Sequence, residues 1–200
     1  MQYLKDEIKN RIISAALNEF DEKGFSNASM RKIAKDAGIA TGNIYRYFDG
    51  KDELFYYIME PVYEQFTKLI FDHYETADLG KNMVSIIADI VDKVMKVYEK
   101  YSKEFMILLD KSEGSKYQDI KEDLIILIEE RTKKEILPKL ADAGIVVADE
   151  LIFYVGTCTL VEGVFTILRK CKGDNERIKN LIGQLLVLYL NYTSIIERLK

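Results

Sequence analysis

The sequence predicts an all-α protein, with an N-terminal three-helix helix-turn-helix domain and a larger helical C-terminal domain. Composition is the first indication: the 200 residues include only 2 Pro and no Trp, with 48% apolar and 31% charged residues. That balance is typical of an ordered globular chain. The second indication is the spacing of three and four residues between apolar side chains along most of the chain. We place the domain boundary after residue 52, which gives domains of residues 1–52 and 53–200.

The first predicted helix spans Asp6 to Lys23 and is amphipathic. Its apolar side chains follow one stripe, formed by Ile8, Ile12, Ile13, Ala16, Leu17 and Phe20. Spacing of three and four residues places such side chains on one helix face. We expect this face to pack across the next two helices and to hold them in place.

Residues 29–50 predict two short helices joined by a tight turn. Ser29 can cap the first helix, because its hydroxyl accepts hydrogen bonds from amides of the first turn. Gly38 is suited to the left-handed conformation in which many helices end. Thr41 can cap the second helix, and Asp49-Gly50 interrupts it. Two short helices around a glycine-containing turn are the sequence form of a helix-turn-helix.

The second short helix has an unusual surface for a helix that only packs. Its apolar residues Ile44 and Phe48 are expected to face inward. The positions left for solvent carry hydrogen-bond donors and flat rings, on Thr41, Asn43, Tyr45, Arg46 and Tyr47. Such a surface suits the base edges of a DNA groove.

The same residues resemble the DNA-binding domain of the TetR family of transcriptional repressors. The resemblance is carried by Ile33-Ala34, Ala37-Gly38-Ile39, Gly42-Asn43-Ile44-Tyr45, Tyr47-Phe48 and Lys51-Asp52-Glu53-Leu54. Upstream it includes Ala15-Ala16-Leu17, Phe20 and Gly24-Phe25, so it covers roughly residues 8–56. Ala40 and Gly50 depart from the family, which often has Ser at both positions; Thr41 and the tolerance of glycine at N-caps can compensate.

The resemblance implies a homodimeric repressor that binds a double-stranded DNA operator and responds to a small-molecule effector. It places Arg31 at a base-contacting position and Lys51 at a phosphate-contacting one. The recognition helix is expected to contribute Thr41, Gly42, Asn43, Tyr45, Arg46 and Tyr47.

The distribution of charge agrees with DNA binding, although the net charge of the chain is −4. Residues 28–51 hold five basic and two acidic side chains, a local charge of +3, so the rest of the chain carries −7. A basic patch on an acidic body directs one side towards phosphates. A solvated helix face is the alternative interpretation of such a patch.

The C-terminal domain is expected to contain further long helices. Predicted helices cover Asp52–Glu75, Asn82–Lys100, Lys103–Asp110 and Tyr117–Leu137, with breaks at Asp78-Leu79-Gly80 and Ala143-Gly144. Pro61 should either kink the first of them or divide it in two, and Pro138 should end or kink the last, since proline removes a backbone hydrogen bond.

The last two helices are apolar almost all round. Residues 151–168 contain one charge, Glu162, and residues 181–196 contain none. The second is too short to cross a bilayer, which takes roughly twenty residues, and threonines interrupt the first. Burial between the chain's own core and a second subunit explains both helices, as in the dimer interface of the TetR family. We expect this interface to include Gly156, Gly163, Leu185 and Tyr189. A buried contact within one chain is the alternative role for the glycines.

An effector cavity is expected among the C-terminal helices, as in the TetR family. Its proposed walls are Tyr63, Phe66, Tyr98, Tyr101, Met106, Leu127, Glu162 and Phe165. Their character predicts an apolar or aromatic small molecule. Glu162 could attract a cationic ligand, because a buried carboxylate needs a partner; a hydrogen-bonded structural role and simple exposure are the alternatives.

Nothing in the sequence predicts an enzyme. It contains no catalytic or nucleotide-binding motif, and we expect no metal and no cofactor, because one His and two separated Cys cannot provide the convergent ligands of a zinc site. Unpaired cysteines and the lack of a signal peptide predict a cytoplasmic protein without a membrane partner. A helical protein-interaction or adaptor module without DNA specificity remains the alternative function.

Overall fold

The computed structural model of the chain describes residues 2–75, 83–142, 144, 146–147 and 149–196. Every regular element in these ranges is a helix, as the sequence predicts. The helices are α1 (Gln2–Asn27), α2 (Met30–Asp36), α3 (Thr41–Ile44), α4 (Lys51–Glu75), α5 (Met83–Asp110), α6 (Ile120–Asp142), α7 (Leu151–Lys170) and α8 (Asn175–Ile196).

The chain forms two compact units. The first comprises Met1–Gln65 and Lys100–Ile120, and the second comprises Phe66–Glu99 and Lys121–Lys200. Helices α4 and α5 each contribute to both units. The predicted boundary after residue 52 falls inside the first unit, which also takes in a distant segment, residues 100–120.

The core of the first unit is built on the apolar stripe of α1. Ile12, Ala16 and Phe20 are fully buried, together with Ile33 of α2 and Ile44 of α3. The predicted packing of α1 against the short helices is confirmed for α2. Burying side chains of this size stabilises a fold by about 1.5–3 kcal/mol each.

Aromatic rings extend this core towards α4. The ring of Phe55 lies 4.9 Å from that of Phe20, edge-on, and 4.8 Å from that of Phe25. Tyr117 lies 5.8 Å from Tyr56 and belongs to the same cluster. Such ring pairs add to the stabilisation that burial provides.

Residues 100–120 complete the first unit through contacts with the end of α1. The amide of Phe25 donates to the carbonyl of Lys111 at 2.8 Å. The Lys111 ammonium is 2.9 Å from a carboxylate oxygen of Asp21. Lys103 donates to the side chain of Asn18 at 2.6 Å. These contacts join segments that lie more than 80 residues apart, and no local pattern predicts them.

Several helix boundaries differ from the predicted ones. α1 leaves helical geometry at Gly24 (φ 72, ψ 167), next to the predicted end at Lys23. Pro61 lies inside a continuous α4, so it does not divide that helix. The predicted interruption between residues 100 and 103 is present as a kink within α5, where Tyr101 leaves helical geometry (φ −129, ψ 28). The predicted break at residues 78–80 lies outside the described residues.

The prediction for α6 was wrong at both ends. The helix begins at Ile120 and not at Tyr117, and it continues through Pro138 to Asp142. In the preceding turn, the hydroxyl of Ser112 lies 2.7 Å from the carbonyl oxygen of Leu108 and 3.0 Å from that of Tyr117. Proline removes only one backbone donor, which a helix of this length tolerates near its end.

In the second unit, α7 and α8 pack closely at two glycines. A Cβ atom built on Gly156 would lie 3.3 Å from the ring of Tyr189, and one on Gly163 would lie 2.7 Å from a methyl group of Leu185. The glycines thus let α8 of the same chain approach α7. This is the intrachain alternative noted for the two glycines.

This helix pair also exposes apolar side chains. Leu151 and Val155 of α7 are 60% and 49% exposed, and Val187 and Leu188 of α8 are 41% and 69% exposed. By length and composition alone α7 could cross a membrane, and 28% of its most apolar window is buried within the chain. An exposed apolar face of this kind marks an interaction surface.

Candidate nucleic-acid interface

The start of α2 is capped as the sequence predicts. Ser29 has an extended backbone, and its hydroxyl accepts a hydrogen bond from the amide of Lys32 at 3.4 Å. A second contact was not predicted: the amide of Ser29 donates to the carboxylate of Glu19 in α1 at 3.1 Å. Both the amide and the hydroxyl of Ser29 are therefore hydrogen-bonded.

The turn after α2 depends on Gly38. Its backbone is left-handed (φ 68), which confirms the predicted helix stop. The amide of Ile39 donates to the carbonyl of Ala34 and the amide of Gly38 to that of Lys35, each at 3.0 Å. This pair of bonds is a Schellman motif, which satisfies carbonyls that the helix end leaves unpaired.

Arg11 of α1 binds the remaining carbonyls of this turn. Its Nε donates to the carbonyl oxygen of Ala37 at 2.9 Å, and its Nη2 donates to that of Gly38 at 3.1 Å. The sequence gives no indication of these contacts. A single arginine on the polar side of an amphipathic helix carries no motif, and its partners lie more than 25 residues away.

The recognition helix is shorter than expected. α3 comprises only Thr41–Ile44, and its N-cap is Ala40, which has extended backbone and no side-chain cap. The predicted capping role of Thr41 was therefore wrong, because Thr41 is already the first helical residue. Hydrogen bonds from Tyr47 and Phe48 to the carbonyl of Ile44 continue the segment as a turn.

The predicted DNA-facing residues are accessible on this segment. Ile44 and Phe48 are buried and anchor it from below. Five of the predicted residues are exposed and Tyr47 is half-buried; the exposed ones are Thr41, Gly42, Asn43, Tyr45 and Arg46.

A groove of about 570 Å³ brings α2 together with the start of α3. It is lined by Ser29, Arg31, Lys32, Lys35, Gly38, Ile39, Ala40 and Thr41. Arg31 and Lys35 lie four residues apart, hence on one face of α2. The ammonium of Lys32 instead pairs with the carboxylate of Asp36, and that hydrogen bond raises the pKa of Lys32. The groove is therefore positively charged and open to an anionic polymer.

Lys51 already has two contacts inside the protein. Its ammonium donates to the carbonyl of Ser26 at 2.9 Å and lies 4.7 Å from the centre of the Phe25 ring. It thus ties the start of α4 to the last residues of α1. A phosphate contact by Lys51 remains a prediction from the resemblance.

The residues predicted to line an effector cavity are divided between the two units. Tyr63, Tyr101 and Met106 belong to the first unit, and the other five, Phe66, Tyr98, Leu127, Glu162 and Phe165, belong to the second.

Glu162 does not lie in an apolar interior. Its side chain is 50% exposed, and its carboxylate is 2.6 Å from the ammonium of Lys121. This matches the alternatives of exposure and pairing noted for the residue. Nearby, hydrogen bonds with Cys158 and then Glu122 raise the pKa of Tyr154 to about 12.

Comparison with known proteins identifies the N-terminal segment. Residues 12–58 match the family described as bacterial regulatory proteins, tetR family. An uncharacterized HTH-type transcriptional regulator of Haemophilus influenzae is 30% identical over 112 residues, which is 56% of this chain and 53% of that protein. An HTH-type transcriptional regulator of Staphylococcus aureus (strain USA300) is 44% identical over 54 residues, covering 27% of this chain and 29% of that protein. The chain thus spans about half or less of the length of these relatives.

Solved structures share the fold along most of the chain. The TetR family transcriptional regulator PfmR from Thermus thermophilus superposes with a TM-score of 0.65 at 18% identity, over 90% of this chain and 97% of PfmR. NalD of Pseudomonas aeruginosa superposes with a TM-score of 0.61 at 20% identity, over 93% of this chain and 96% of NalD. At these identities the likeness concerns the fold alone.

Together, the capped α2, the glycine turn and the exposed α3 form a helix-turn-helix. Residues 12–58, which contain it, match the tetR family of bacterial regulatory proteins.

We predict that Gly38→Ala and Gly42→Ala differ in their effect on stability. Gly38 is left-handed, and an added Cβ would lie 2.9 Å from Nη2 of Arg11. Gly38→Ala should therefore lower the free energy of unfolding by about 1–2 kcal/mol. Gly42 has no atom within 4 Å of such a Cβ, so Gly42→Ala should be neutral or slightly stabilising. Chemical denaturation of both variants measures the difference, and equal stabilities would contradict it.

Proposed function

We propose that this protein is a transcriptional regulator that binds a pseudo-palindromic DNA operator as a homodimer and is released by a small, mostly apolar or aromatic molecule. The observation that carries the proposal is the exposed surface of α3 beside the basic groove of α2. The TetR family resemblance supports repression as the direction of regulation. A cytoplasmic location is part of the proposal, because the protein has to reach DNA.

The chemistry of this surface supports the reading of DNA sequence. The guanidinium of Arg31 can pair with the O6 and N7 atoms of guanine, and the amide of Asn43 with the N6 and N7 atoms of adenine. Gly42 has open space where a side chain would be, so it lets the α3 backbone approach a groove closely. The remaining residues are proposed to contact phosphates or groove edges, and such contacts mainly set the register of the protein on DNA. These residues are Thr41, Tyr45, Arg46, Tyr47 and Lys51.

We predict that Asn43→Ala and Lys35→Ala affect DNA binding differently. Asn43→Ala should cost about 1–3 kcal/mol on the operator and relax the preference at one base pair per half-site. Lys35→Ala should weaken operator and scrambled duplex alike and reduce the salt dependence of binding. The measurement is titration of a duplex selected from random DNA, and of its scrambled form, at two salt concentrations.

The contrary outcomes concern two separate claims. An equal loss on both duplexes in Asn43→Ala would remove the base-reading role of that residue. Failure of the wild-type protein to select any duplex would remove DNA recognition itself and favour the adaptor function.

The homodimer is supported by the apolar side of α7 and α8. Leu151, Val155, Val187 and Leu188 stay accessible in the single chain, whereas the predicted interface residues Gly156, Gly163, Leu185 and Tyr189 contact one another within it. We propose that the dimer forms on the exposed residues, with the second set holding the two helices together. The two helix-turn-helix segments of the dimer would then contact DNA half-sites whose centres lie about 34–36 Å apart.

We predict that Leu188→Glu weakens the dimer. A carboxylate placed in an apolar interface without a partner should cost about 2 kcal/mol or more in association free energy. Ile126→Glu is the control, because Ile126 of α6 is 43% exposed and lies outside the α7–α8 pair. Sedimentation across a dilution series compares the variants. A monomeric wild-type protein at micromolar concentration, or equal effects of the two substitutions, would refute the proposed interface.

The effector is proposed to bind among the apolar residues of the second unit. Tyr98 and Phe165 are buried there and Leu127 and Phe66 are half-buried. Because Glu162 is exposed and already paired with Lys121, a neutral ligand is favoured over a cationic one.

We predict that an apolar or aromatic compound which stabilises the protein also weakens operator binding. Linkage requires operator and effector to weaken each other by the same factor, typically about 5–150-fold. Thermal stabilisation identifies the ligands from apolar, aromatic and cationic compounds, and each is then titrated against the protein–operator complex. Tight ligands that leave operator affinity unchanged would contradict the proposed release mechanism.

A further inference from the structure

Helix α1 contacts both ends of α2 with charged side chains. At the N-terminal end, the carboxylate of Glu19 accepts from the amide of Ser29 at 3.1 Å, and Glu19 is only 5% exposed. At the C-terminal end, the guanidinium of Arg11 donates to the carbonyls of Ala37 and Gly38.

The spacing of these two residues matches the length of α2. Arg11 and Glu19 are eight residues apart, a little over two helical turns, so they lie about 12 Å apart along α1 and about 80° apart around it. α2 has seven residues and is about 10 Å long. Since the later residue of α1 meets the earlier end of α2, the two helices run antiparallel.

The signs of the two charges suit the ends that they contact. A helix leaves its first amides and its last carbonyls without partners, and its dipole favours an anion at the N-terminus and a cation at the C-terminus. Glu19 is the anion at the start of α2 and Arg11 is the cation at its end. Each side chain therefore makes a charge-assisted hydrogen bond of the stronger kind.

We infer that Glu19 and Arg11 form a clamp that sets the axial position of α2 and the geometry of the turn into α3. The clamp makes them positioning residues for DNA reading, and this part of the inference rests on the proposed function. α2 is too short to be stable by itself. Its buried residues Ile33 and Ala34 hold it against the core, but apolar burial has no direction. The hydrogen bonds of Glu19 and Arg11, one at each end of α2, fix the position of the helix along its axis.

The clamp lies next to the residues that would touch DNA. Arg31 follows two residues after Ser29, whose amide Glu19 holds, and Thr41 follows two residues after Ile39, which belongs to the turn held by Arg11. A small shift of α2 along its axis would move both groups relative to a groove. Misplacement of about 1 Å is enough to lose well-oriented contacts.

Hydrogen exchange tests the clamp without DNA. We compare Arg11→Met and Glu19→Met, which keep the length of the side chain, with the conservative variants Arg11→Lys and Glu19→Gln. Lys23→Met is the control, because Lys23 of α1 pairs with its neighbour Glu22. Exchange at Ser29 in Glu19→Met, and at Gly38 and Ile39 in Arg11→Met, should rise about tenfold. Lys and Gln should restore most of the protection. Exchange no faster than in Lys23→Met overturns the clamp.

Binding to the duplex selected by the wild-type protein tests the consequence. Arg11→Met should lower the ratio of operator to scrambled affinity about tenfold, with an unchanged salt dependence and partial rescue in Arg11→Lys. A salt slope reduced by about one would show that Arg11 is a phosphate contact and overturn its positioning role. If the wild-type protein selects no duplex, the proposed function fails while hydrogen exchange still decides the clamp.

Discussion

The packing of two very short helices against one long one is the constraint on which the predicted DNA-facing surface depends. α2 has seven residues and α3 has four, and helices of this length are not stable alone in water. Their conformation comes from the apolar stripe of α1, where Ile12, Ala16 and Phe20 are buried. The exposed residues of α3 are therefore positioned by a core that they do not contact, which leaves them free to vary in chemistry.

Local chemistry explains which features the sequence could predict. The cap at Ser29 and the left-handed turn at Gly38 each depend on a side chain and its immediate neighbours, and both predictions were confirmed. The error at Thr41 is a shift of one position: Ala40 takes the extended conformation of an N-cap although it has no capping side chain. α3 therefore starts one residue after the cap predicted by the family pattern and relies on Ile44 for its position.

Contacts between distant residues explain what the sequence could not predict. Arg11, Glu19 and Lys51 each bind a backbone atom of a segment that comes much earlier or later in the chain. In the sequence, a charged residue on a polar helix face that is solvated cannot be distinguished from one that binds a distant backbone atom. The glycines of α7 show the same ambiguity, because Gly156 and Gly163 permit close approach by any helix, and the structure supplies α8 of the same chain.

The first unit also shows that the helix-turn-helix is not closed by its own three helices. Phe25 follows the irregular Gly24 near the end of α1, and its amide donates to the carbonyl of Lys111. Its ring contacts Phe55 of α4, which in turn lies against Tyr117. Residues 100–120 thus cover aromatic side chains of the first unit that would otherwise be exposed. This segment begins where α5 becomes irregular at Tyr101. At both ends, its chain continues directly into the second unit. The structure of the first unit therefore depends on residues that lie well outside residues 12–58, the segment that matches the family.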